Sequence, residues 1–477
     1  MLPADKCYVS SSGNDDNSGA DESSALATVN EAVTRLNNAH VAEKPYIINV
    51  TGEISFSKII ELNSALLPCN ITIDGGGSGI LNGSETSGVM SIIGDSKTFI
   101  LQNLLLQNGK NSDGDGGGLF ISGTNTIKLN NCTIKNCTAS ANGGGIYIAD
   151  GSVTLTGSTI QNCSAIMGNG GGIYIEGGTV KLDNCVIGRN LGINSNTVAL
   201  NFPPHGVLPY PSNSTDDTNN AQNGGGIYVD SGSLTLKNET HVGYNYASAD
   251  GGGIYHGGGS ITFSSIAVSG NLSVVSNVGD MIISNNEAAS GSGGGIYFTG
   301  TGDFTVSSAD ISNNTADVMG GGIVVFNGSS GTYNFSGIMN DNRSPNGAAV
   351  SFGANLSAVA TFDLVMNGYT YNLDKQSPVV FVDADNAGLT LNILPNTMIT
   401  DGEGTQNAGF IYLTHPAKIT ISEQLNKKIT LDPSDYSEYY TSPILDNPNG
   451  VDISTTIYLV DWEDYGINQT SGYIYEK

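Results

Sequence analysis

The stretch Gly143-Gly144-Gly145-Ile146-Tyr147-Ile148 decides the fold, because copies of it recur at a fixed interval along the chain. The first apolar residue after the glycines marks the interval: Leu119, Ile146 and Ile173 are 27 residues apart. Further copies begin at Gly170, Gly224, Gly251, Gly293 and Gly320, with weaker copies at Gly116 and Gly347. Self-similarity at a period of this length is typical of a solenoid, in which each repeat packs on its neighbours.

Two longer gaps interrupt the period, and we interpret both as insertions. The interval after Ile173 is 54 residues and the interval after Ile254 is 42 residues. In each gap the next element of the repeat arrives at its usual distance, so the surplus residues lie between elements. We therefore place insertions at residues 191–222 and 264–280.

Each period contains three short extended segments. The first is the apolar run after the glycines, the second is an alternating tetrad such as Ser152-Val153-Thr154-Leu155, and the third ends in asparagine or cysteine. The third segments end at Cys137, Cys163, Asn190, Asn245, Asn286 and Asn314. Period-two alternation in short runs bounded by Gly, Asn and Ser predicts strands. The sequence therefore predicts an all-β parallel β-helix with three strands per coil of about 27 residues and about a dozen coils.

The geometry of such a helix accounts for the composition. Successive coils stack at roughly 4.8 Å, so each residue lies above its copy one period earlier. Inward positions such as Ile146 and Ile173 then form an aliphatic column, while Gly and Asn occupy the corners where the chain turns with positive φ. This explains why the chain contains 65 glycines and only 13% charged residues.

The chain divides into three parts. Residues 1–45 form an N-terminal entry and capping helix, residues 46–422 form the β-helix, and residues 423–477 form a C-terminal cap or the start of a missing module. The helix is predicted from apolar residues that share one face, Leu26, Val29, Val33 and Leu36. Thr28 and Glu31 are spaced for a capping box at its start. We expect this helix to cover the open end of the solenoid core.

Charge and hydropathy limit the partners. A net charge of −27 argues against binding to nucleic acid or to anionic lipid, which both require a basic surface. No run of 18 apolar residues is present, so we expect no membrane insertion. An acidic exterior rich in Ser, Thr and Asn favours an extracellular or cell-surface protein whose signal peptide has been removed.

Six cysteines do not make a disulfide framework in a chain of 477 residues. Cys137 and Cys163 occupy the same position one coil apart, which allows either a bridge or a stacked pair of buried thiols. Cys7 and Cys69 are candidates for a link at the N-terminal end. The oxidation state of both pairs is left open.

The repeats resemble those of a known family. The entry Tyr8-Val9-Ser10, the capping helix and Ile71 to Gly77 look like the opening of right-handed β-helices of the pectin-lyase-like superfamily. From about Asp115 to Phe352, Gly-Gly-Gly-Ile alternates with Ile-x-x-Asn, which resembles the Gly-Gly-Ala-Ile and Phe-x-x-Asn motifs of chlamydial polymorphic outer-membrane proteins and related spirochaete surface proteins. The chain differs in using Gly for Ala and Ile or Val for Phe, and in lacking a C-terminal translocating barrel. The resemblance implies a right-handed β-helix in a bacterial surface or secreted, adhesin-like protein.

Enzymatic activity has little support in the sequence. Carboxylate pairs that could serve glycoside hydrolysis are Asp113 with Asp115, Asp216 with Asp217, and Asp383 with Asp385. All three pairs lie in turn-like sequence without a nearby arginine, so we predict no catalytic residues. The histidines show no metal-ligand spacing and are interpreted as surface or turn residues: His40, His205, His241, His256 and His415. We predict no metal site and no cofactor.

A binding surface has more support. If Ile146 and Ile148 point inward, Tyr147 points outward. Its copies extend the series into an exposed aromatic column, made of Phe120, Tyr147, Tyr174, Tyr228, Tyr255 and Tyr297. Stacked rings can bind sugar rings or an apolar patch of a partner. The first insertion adds further candidates, Phe202, His205 and Tyr210. The alternative is that tyrosines favour strands and simply shield the sheet.

Three functions are therefore compared. The first is an adhesin-like recognition protein that binds a glycan or a surface protein of a host or neighbouring cell. The second is a polysaccharide lyase or hydrolase, and the third is a structural subunit of a surface sheath or filament. Self-association through the solenoid ends is left open.

Overall fold

The structure is a computed structural model, and it shows an all-β parallel β-solenoid of about 10 turns with one short helix near the N-terminus. This confirms the fold class predicted from the repeat. The structure describes residues 5–38, 45–189, 218–264, 281–299, 304–326, 330–353, 356–369, 378–383, 389–395, 397–401, 410–413, 418–421, 425, 429–433, 445–446, 448–450, 457–459, 464–470 and 474–477. No helix in these ranges is long and apolar enough to cross a membrane.

In the regular coils one strand follows the glycine triplet, and these strands belong to a parallel sheet that we call the triplet sheet. Its 14 strands include the less regular coils at both ends of the solenoid. In chain order they are Ile60–Asn63, Met90–Ile93, Leu119–Ile121, Ile146–Ile148, Ile173–Ile175, Ile227–Val229, Ile254–His256, Ile296–Phe298, Ile323–Val325, Val350–Phe352, Val380–Val382, Phe410–Leu413, Ile429–Pro433 and Ile457–Leu459.

The remaining strands of the coils form a second, larger parallel sheet that wraps around the corners. Second strands are Ile71–Asn82, Thr98–Gln107, Thr126–Asn130, Ser152–Thr156, Thr179–Asp183, Ser233–Lys237, Ser260–Ser264, Phe304–Ser312, Ser330–Arg343, Ser357–Tyr369, Thr390–Ile393, Lys418–Thr420 and Leu445–Asp446, the long ones continuing through the third position. Separate third strands are Thr133–Lys135, Thr159–Gln161, Val186–Gly188, Thr240–Gly243, Met281–Ser284 and Met398–Asp401.

A fourth, two-residue strand completes the regular coils and was not predicted. These strands are Lys110–Asn111, Thr138–Ala139, Ser164–Ala165, Asn220–Ala221, Tyr246–Ala247, Glu287–Ala288 and Thr315–Ala316. Their alanines are buried, and each strand pairs with its copy in the next coil. A two-residue segment is too short to show an alternating pattern, which explains why the sequence did not reveal it.

One short helix lies near the N-terminus, as the sequence predicts. Strand Lys6–Ser10 precedes a 3-10 turn Glu22–Ser24 and helix Val29–Asn37, followed by strands Tyr46–Thr51 and Glu53–Ser55. The helix buries Val29, Ala32, Val33 and Leu36. The Thr28 hydroxyl accepts a hydrogen bond from the Glu31 amide at 3.1 Å. The Glu31 carboxylate pairs with Arg35 Nε at 2.6 Å, so only the Thr28 half of the predicted capping box is present.

The register confirms the stacking of identical positions. Ile146 pairs with Ile173, and Ile173 pairs with Ile227 across the first insertion. All three side chains are fully buried in one continuous core. At the end of the chain, an antiparallel hairpin of Tyr465–Ile467 and Ile474–Glu476 follows the last stacked strand.

The third strands end in a buried asparagine ladder. Its members are Asn219, Asn245, Asn286, Asn314 and Asn342, each 1% exposed or less. Cys163 occupies the same position one coil earlier. The hydrogen bond from its backbone amide to Asn219 Oδ1, at 2.9 Å, shows this. The sequence placed Asn190 at this position. Asn190 lies outside the described residues, and Asn219 fills the position instead, so the first insertion returns to the ladder at Asn219.

All six cysteines are buried thiols. The Cys163 thiol donates to the Gln161 carbonyl at 3.3 Å and the Cys137 thiol donates to the Lys135 carbonyl at 3.3 Å. Burial raises the pKa of Cys7 to about 12 and the pKa of Cys132 to about 11. Thiols with such pKa values are protonated at neutral pH and react slowly.

Candidate functional site

The predicted aromatic column exists, and we call it the tyrosine column: Phe120, Tyr147, Tyr174, Tyr228, Tyr255 and Tyr297. Consecutive ring centroids are 5.4, 5.4, 5.0, 4.6 and 4.8 Å apart along the series. The angle between neighbouring ring planes is at most 10°. Phe326 continues the contact beyond Tyr297 with a tilted ring at 5.9 Å. The in-register parallel strands impose this geometry, because each ring stands directly above its copy.

The column is much less exposed than the sequence predicts. Tyr147, Tyr174 and Tyr297 expose only 8%, 9% and 7% of their surface. Residues outside the strands cover parts of the rings. Met319, which precedes a glycine triplet, packs in one cluster with Tyr297. Gly257 lies in the turn after the strand, close to the Tyr255 ring. The prediction of an exposed face is therefore wrong for these three rings, while Phe120, Tyr228 and Tyr255 are half-buried. Strand alternation gives the outward direction of a ring but not the height of the turns beside it.

Carboxylates accompany the tyrosine hydroxyls. Tyr147 Oη donates to Glu176 Oε2 at 2.5 Å. Burial, and then this bond and the Glu176 charge, raise the pKa of Tyr147. Burial also raises the pKa of Tyr228 to about 12, with smaller contributions from Tyr255 and Asp230. The phenols of the column therefore stay protonated over the physiological pH range.

Only one of the three candidate carboxylate pairs, Asp113 with Asp115, lies entirely within the described residues. Asp115 Oδ1 accepts the backbone amide of Asn142 at 2.8 Å, and so begins a second ladder along the row before the triplets. In the same row, Asn142 Oδ1 accepts the Asn169 amide and Asp250 Oδ1 accepts the Ser292 amide. Asp115 is thus a structural residue, while Asp113 is an exposed turn residue. Three predicted residues, Asp216, Asp217 and Asp385, lie outside the described residues.

Phe202, His205 and Tyr210 also lie outside the described residues, as do His40 and His415. Within the described part of the chain, no three His, Cys, Asp or Glu side chains gather into a group that could hold a metal ion.

A set of polar residues that the sequence pattern did not reveal occupies outward positions on the third and fourth strands of three adjacent coils. We call it the framed patch: His241, Tyr246, Ser284, Glu287 and Asp310. His241 and Asp310 each pair with Ile282, one from either side, and Tyr246 pairs with Glu287. His241 Nε2 lies 3.2 Å from Ser284 Oγ. His241 exposes 7% of its surface and Ser284 exposes 5%, although both stand on the outward side of their strands.

Desolvation changes the proton affinity of the framed patch. Burial lowers the pKa of His241 to about 4. Burial raises the pKa of Asp310, and burial together with the Asp317 charge raises the pKa of Glu287. Glu287 Oε2 is buried without a hydrogen-bond partner. Clusters of shifted pKa values are a general mark of functional sites.

Both insertions are connected to the strand column that carries His241. The segment 190–217 follows strand Val186–Gly188, and the segment 265–280 precedes strand Met281–Ser284. The strand Thr240–Gly243 lies between these two strands and pairs with both. The insertions therefore leave the solenoid at opposite ends of one strand column, within three coils. The sequence did contain a signal for the framed patch. Each insertion lies next to a third strand, and ionisable residues occupy outward positions on these strands.

His256 is a second buried histidine, so the prediction of surface or turn histidines is wrong for both histidines in the described ranges. His256 occupies an inward position between Val229 and Phe298, is 1% exposed, and its ring stacks on Phe298 at 4.7 Å. Neither ring nitrogen reaches a partner on another residue. Burial lowers the pKa of His256 to about 4.

Acid is therefore expected to destabilise the protein through His256. The folded-state pKa is about 4 and the ordinary value is 6.5, so the unfolded chain takes up the proton first as the pH falls. The neutral ring contributes fully above pH 6.5, and its contribution is lost progressively toward pH 4. Between pH 7 and 4.5 this amounts to about 2 to 3 kcal/mol.

The variant His256→Phe isolates this effect, because Phe298 shows that the neighbouring coil accepts a phenyl ring. We expect urea unfolding to show a smaller stability loss between pH 7 and 4.5 in H256F than in the wild type. The other ionisable groups are common to both proteins, so their contributions to the pH dependence of stability cancel in the comparison. Equal losses in the two proteins would contradict the assignment.

Comparisons with known proteins do not extend the classification beyond the fold. The architecture defines the chain as a parallel β-solenoid protein. No protein-family model and no curated protein matches the sequence.

Proposed function

We propose that the protein is an extracellular or cell-surface recognition protein that binds a glycan or a protein partner. The observation that carries this proposal is the framed patch, where desolvated ionisable groups stand on the strands to which both insertions connect. Binding residues commonly lie on loops held by a rigid scaffold, and insertions into a regular solenoid are typical binding elements. The resemblance to chlamydial and spirochaete surface proteins of the pectin-lyase-like superfamily supports the surface location and a bacterial, adhesin-like role.

The chemistry of the patch limits the partner. Glu287 Oε2 lacks a hydrogen-bond donor, and Tyr246 beside it supplies an aromatic ring and a hydroxyl. Sugar hydroxyls and basic side chains both satisfy such acceptors. The net charge of −27 disfavours acidic partners such as nucleic acids. A neutral glycan or a basic protein surface fits best.

Deleting residues 194–217 is expected to abolish binding and leave the solenoid folded. The boundary is set by Asn219, whose Nδ2 donates to the Ile160 carbonyl at 3.0 Å and to Asn245 Oδ1 at 3.1 Å. A deletion that extended to Asn220 would break the ladder as well. We expect the shortened protein to keep its circular dichroism spectrum and lose binding at least tenfold on a glycan array and on cells.

Point variants test the contribution of the framed patch to binding separately from that of the first insertion. Glu287→Ala removes the unpaired acceptor and is expected to weaken binding, whereas Asp113→Ala alters an exposed turn away from the patch and should leave binding unchanged. Full binding by both the deletion variant and E287A would refute the proposed site.

A polysaccharide-degrading enzyme is the second candidate, and one observation favours it. The pKa values of Asp310 and Asp341 are both raised by burial, and Arg343 lies near Asp341. A carboxyl group with a raised pKa can act as a general acid. Release of reducing ends from neutral or acidic polysaccharides by the wild type, abolished in Asp310→Asn, would establish this function in place of recognition.

A further inference from the structure

The rings of the tyrosine column are stacked at regular distances, and the proposed binding function does not involve them. The five ring-to-ring steps of the column are 4.6 to 5.4 Å between centroids, and the rings are nearly parallel. Stacked pairs of this kind stabilise the fold, so packing alone would justify the stack. Phenylalanine would pack as well, yet five consecutive coils carry tyrosine.

The phenol group adds redox chemistry to the packing. A phenol can lose one electron, and the oxidised ring is then a strong acid whose proton must reach a nearby base. Tyr147 has such a base, because its hydroxyl donates to Glu176 Oε2 at 2.5 Å. Tyr255 differs, because Asp250 acts on it only as a nearby charge and its hydroxyl hydrogen-bonds that of Thr299, which is not a base at neutral pH.

We propose that the tyrosine column is a redox site, which passes an electron hole from ring to ring and traps it as a neutral tyrosyl radical on Tyr147. A one-electron oxidant, such as a peroxyl radical or an oxidised metal complex, takes one electron from a ring and is reduced by one electron. Electrons from successive rings fill the vacancy, so the hole moves toward Tyr147. There the Oη–H bond breaks, the proton passes to Glu176 Oε2, and no other bond changes.

Two features of the structure favour this direction and a long lifetime. Proton transfer to Glu176 lowers the free energy of the radical at Tyr147. Low exposure protects the radical, because Tyr147 and Tyr174 expose 8% and 9% of their surface and stack at 5.4 Å. Solutes that would quench a surface tyrosyl radical therefore have little access to it.

The chain allows an oxidant to be placed at the far end of the column. Val318 is 44% exposed and precedes Met319, which packs on Tyr297. The variant Val318→Cys can be labelled with a ruthenium polypyridyl photo-oxidant, because the six native cysteines are buried. A flash with a diffusing electron acceptor then generates Ru(III), which takes one electron from the column.

Transient absorption and electron paramagnetic resonance measure the yield and lifetime of the tyrosyl radical. In the labelled V318C protein we expect a long-lived radical whose lifetime falls at least tenfold when Tyr147→Phe or Glu176→Gln is added. Adding Tyr228→Phe keeps the ring packing and removes one oxidisable step, so the yield should fall at least fivefold. Tyr8→Phe, outside the column, should change neither quantity.

Two results would overturn the proposal. An unchanged lifetime in E176Q would show that Glu176 does not hold the proton, and an unchanged yield in Y228F would show that the hole does not travel along the column. Glu176 is exposed and glutamine has the same shape, so E176Q is expected to fold normally, which circular dichroism checks. Binding by the framed patch is measured separately and does not depend on this outcome.

Discussion

Gly144→Ala is expected to destabilise the solenoid by about 3 kcal/mol or more, because the new methyl group would overlap the backbone of the next coil. A Cβ atom at Gly144 would lie 2.4 Å from the Ser164 carbonyl carbon and 2.5 Å from the Gly171 oxygen. Both contacts are backbone atoms held by the sheet, so neither can move aside as a flexible side chain could. Relief would require two coils to separate, which breaks their hydrogen bonds.

Gly114→Ala is the matched control. A Cβ atom at Gly114 would meet only the Asn111 side chain, at 3.6 Å and beyond. We expect G114A to unfold within about 0.5 kcal/mol of the wild type in urea, and G144A to show a much lower midpoint. Similar midpoints for the two variants would mean that the coils are not packed as closely as described.

The periodicity predicted the fold because one physical rule links them. In a parallel stack, backbone hydrogen bonds tie each residue to its copy one coil away, so a period in sequence becomes a column in space. Tyr147 over Tyr174 and Ile146 over Ile173 follow directly. Exposure does not follow, because it depends on the turns beside a column, and these vary in length from coil to coil. The burial of Tyr147, Tyr174 and Tyr297 therefore required the structure.

Sequence counting also failed where two residues fit the same position. Asn190 follows Ile187 at the spacing at which Cys163 follows Ile160, so it was the natural choice for the ladder. Asn219 takes the position because its amide completes bonds to both neighbouring coils. The framed patch was missed for a related reason. Its residues are far apart in sequence, differ in type, and are joined only by the register of the strands.

Asn286→Ala is expected to cause the second large loss of stability, about 3 to 5 kcal/mol. Asn286 Oδ1 accepts the Asn245 amide and Asn245 Nδ2, each at 3.0 Å. Its Nδ2 donates to the Val242 carbonyl at 3.0 Å and to Asn314 Oδ1 at 2.9 Å. Alanine would leave these buried groups without partners, and each costs about 1–3 kcal/mol when water cannot reach it. Urea unfolding measures the loss, with the outward-facing Asn130→Ala as the control.

Asn286→Cys then shows which half of the amide matters. Cys163 demonstrates that a thiol fits this position and donates to a nearby carbonyl. A thiol is only a weak acceptor for a backbone amide. If the stability contributed by Asn286 comes mainly from its acceptor oxygen, N286C should be nearly as unstable as N286A. If filling the space and supplying a donor dominate, N286C should recover most of the loss. Wild-type stability in N286A itself would show that the asparagine ladder contributes little, and that the solenoid is held by its aliphatic core and backbone hydrogen bonds.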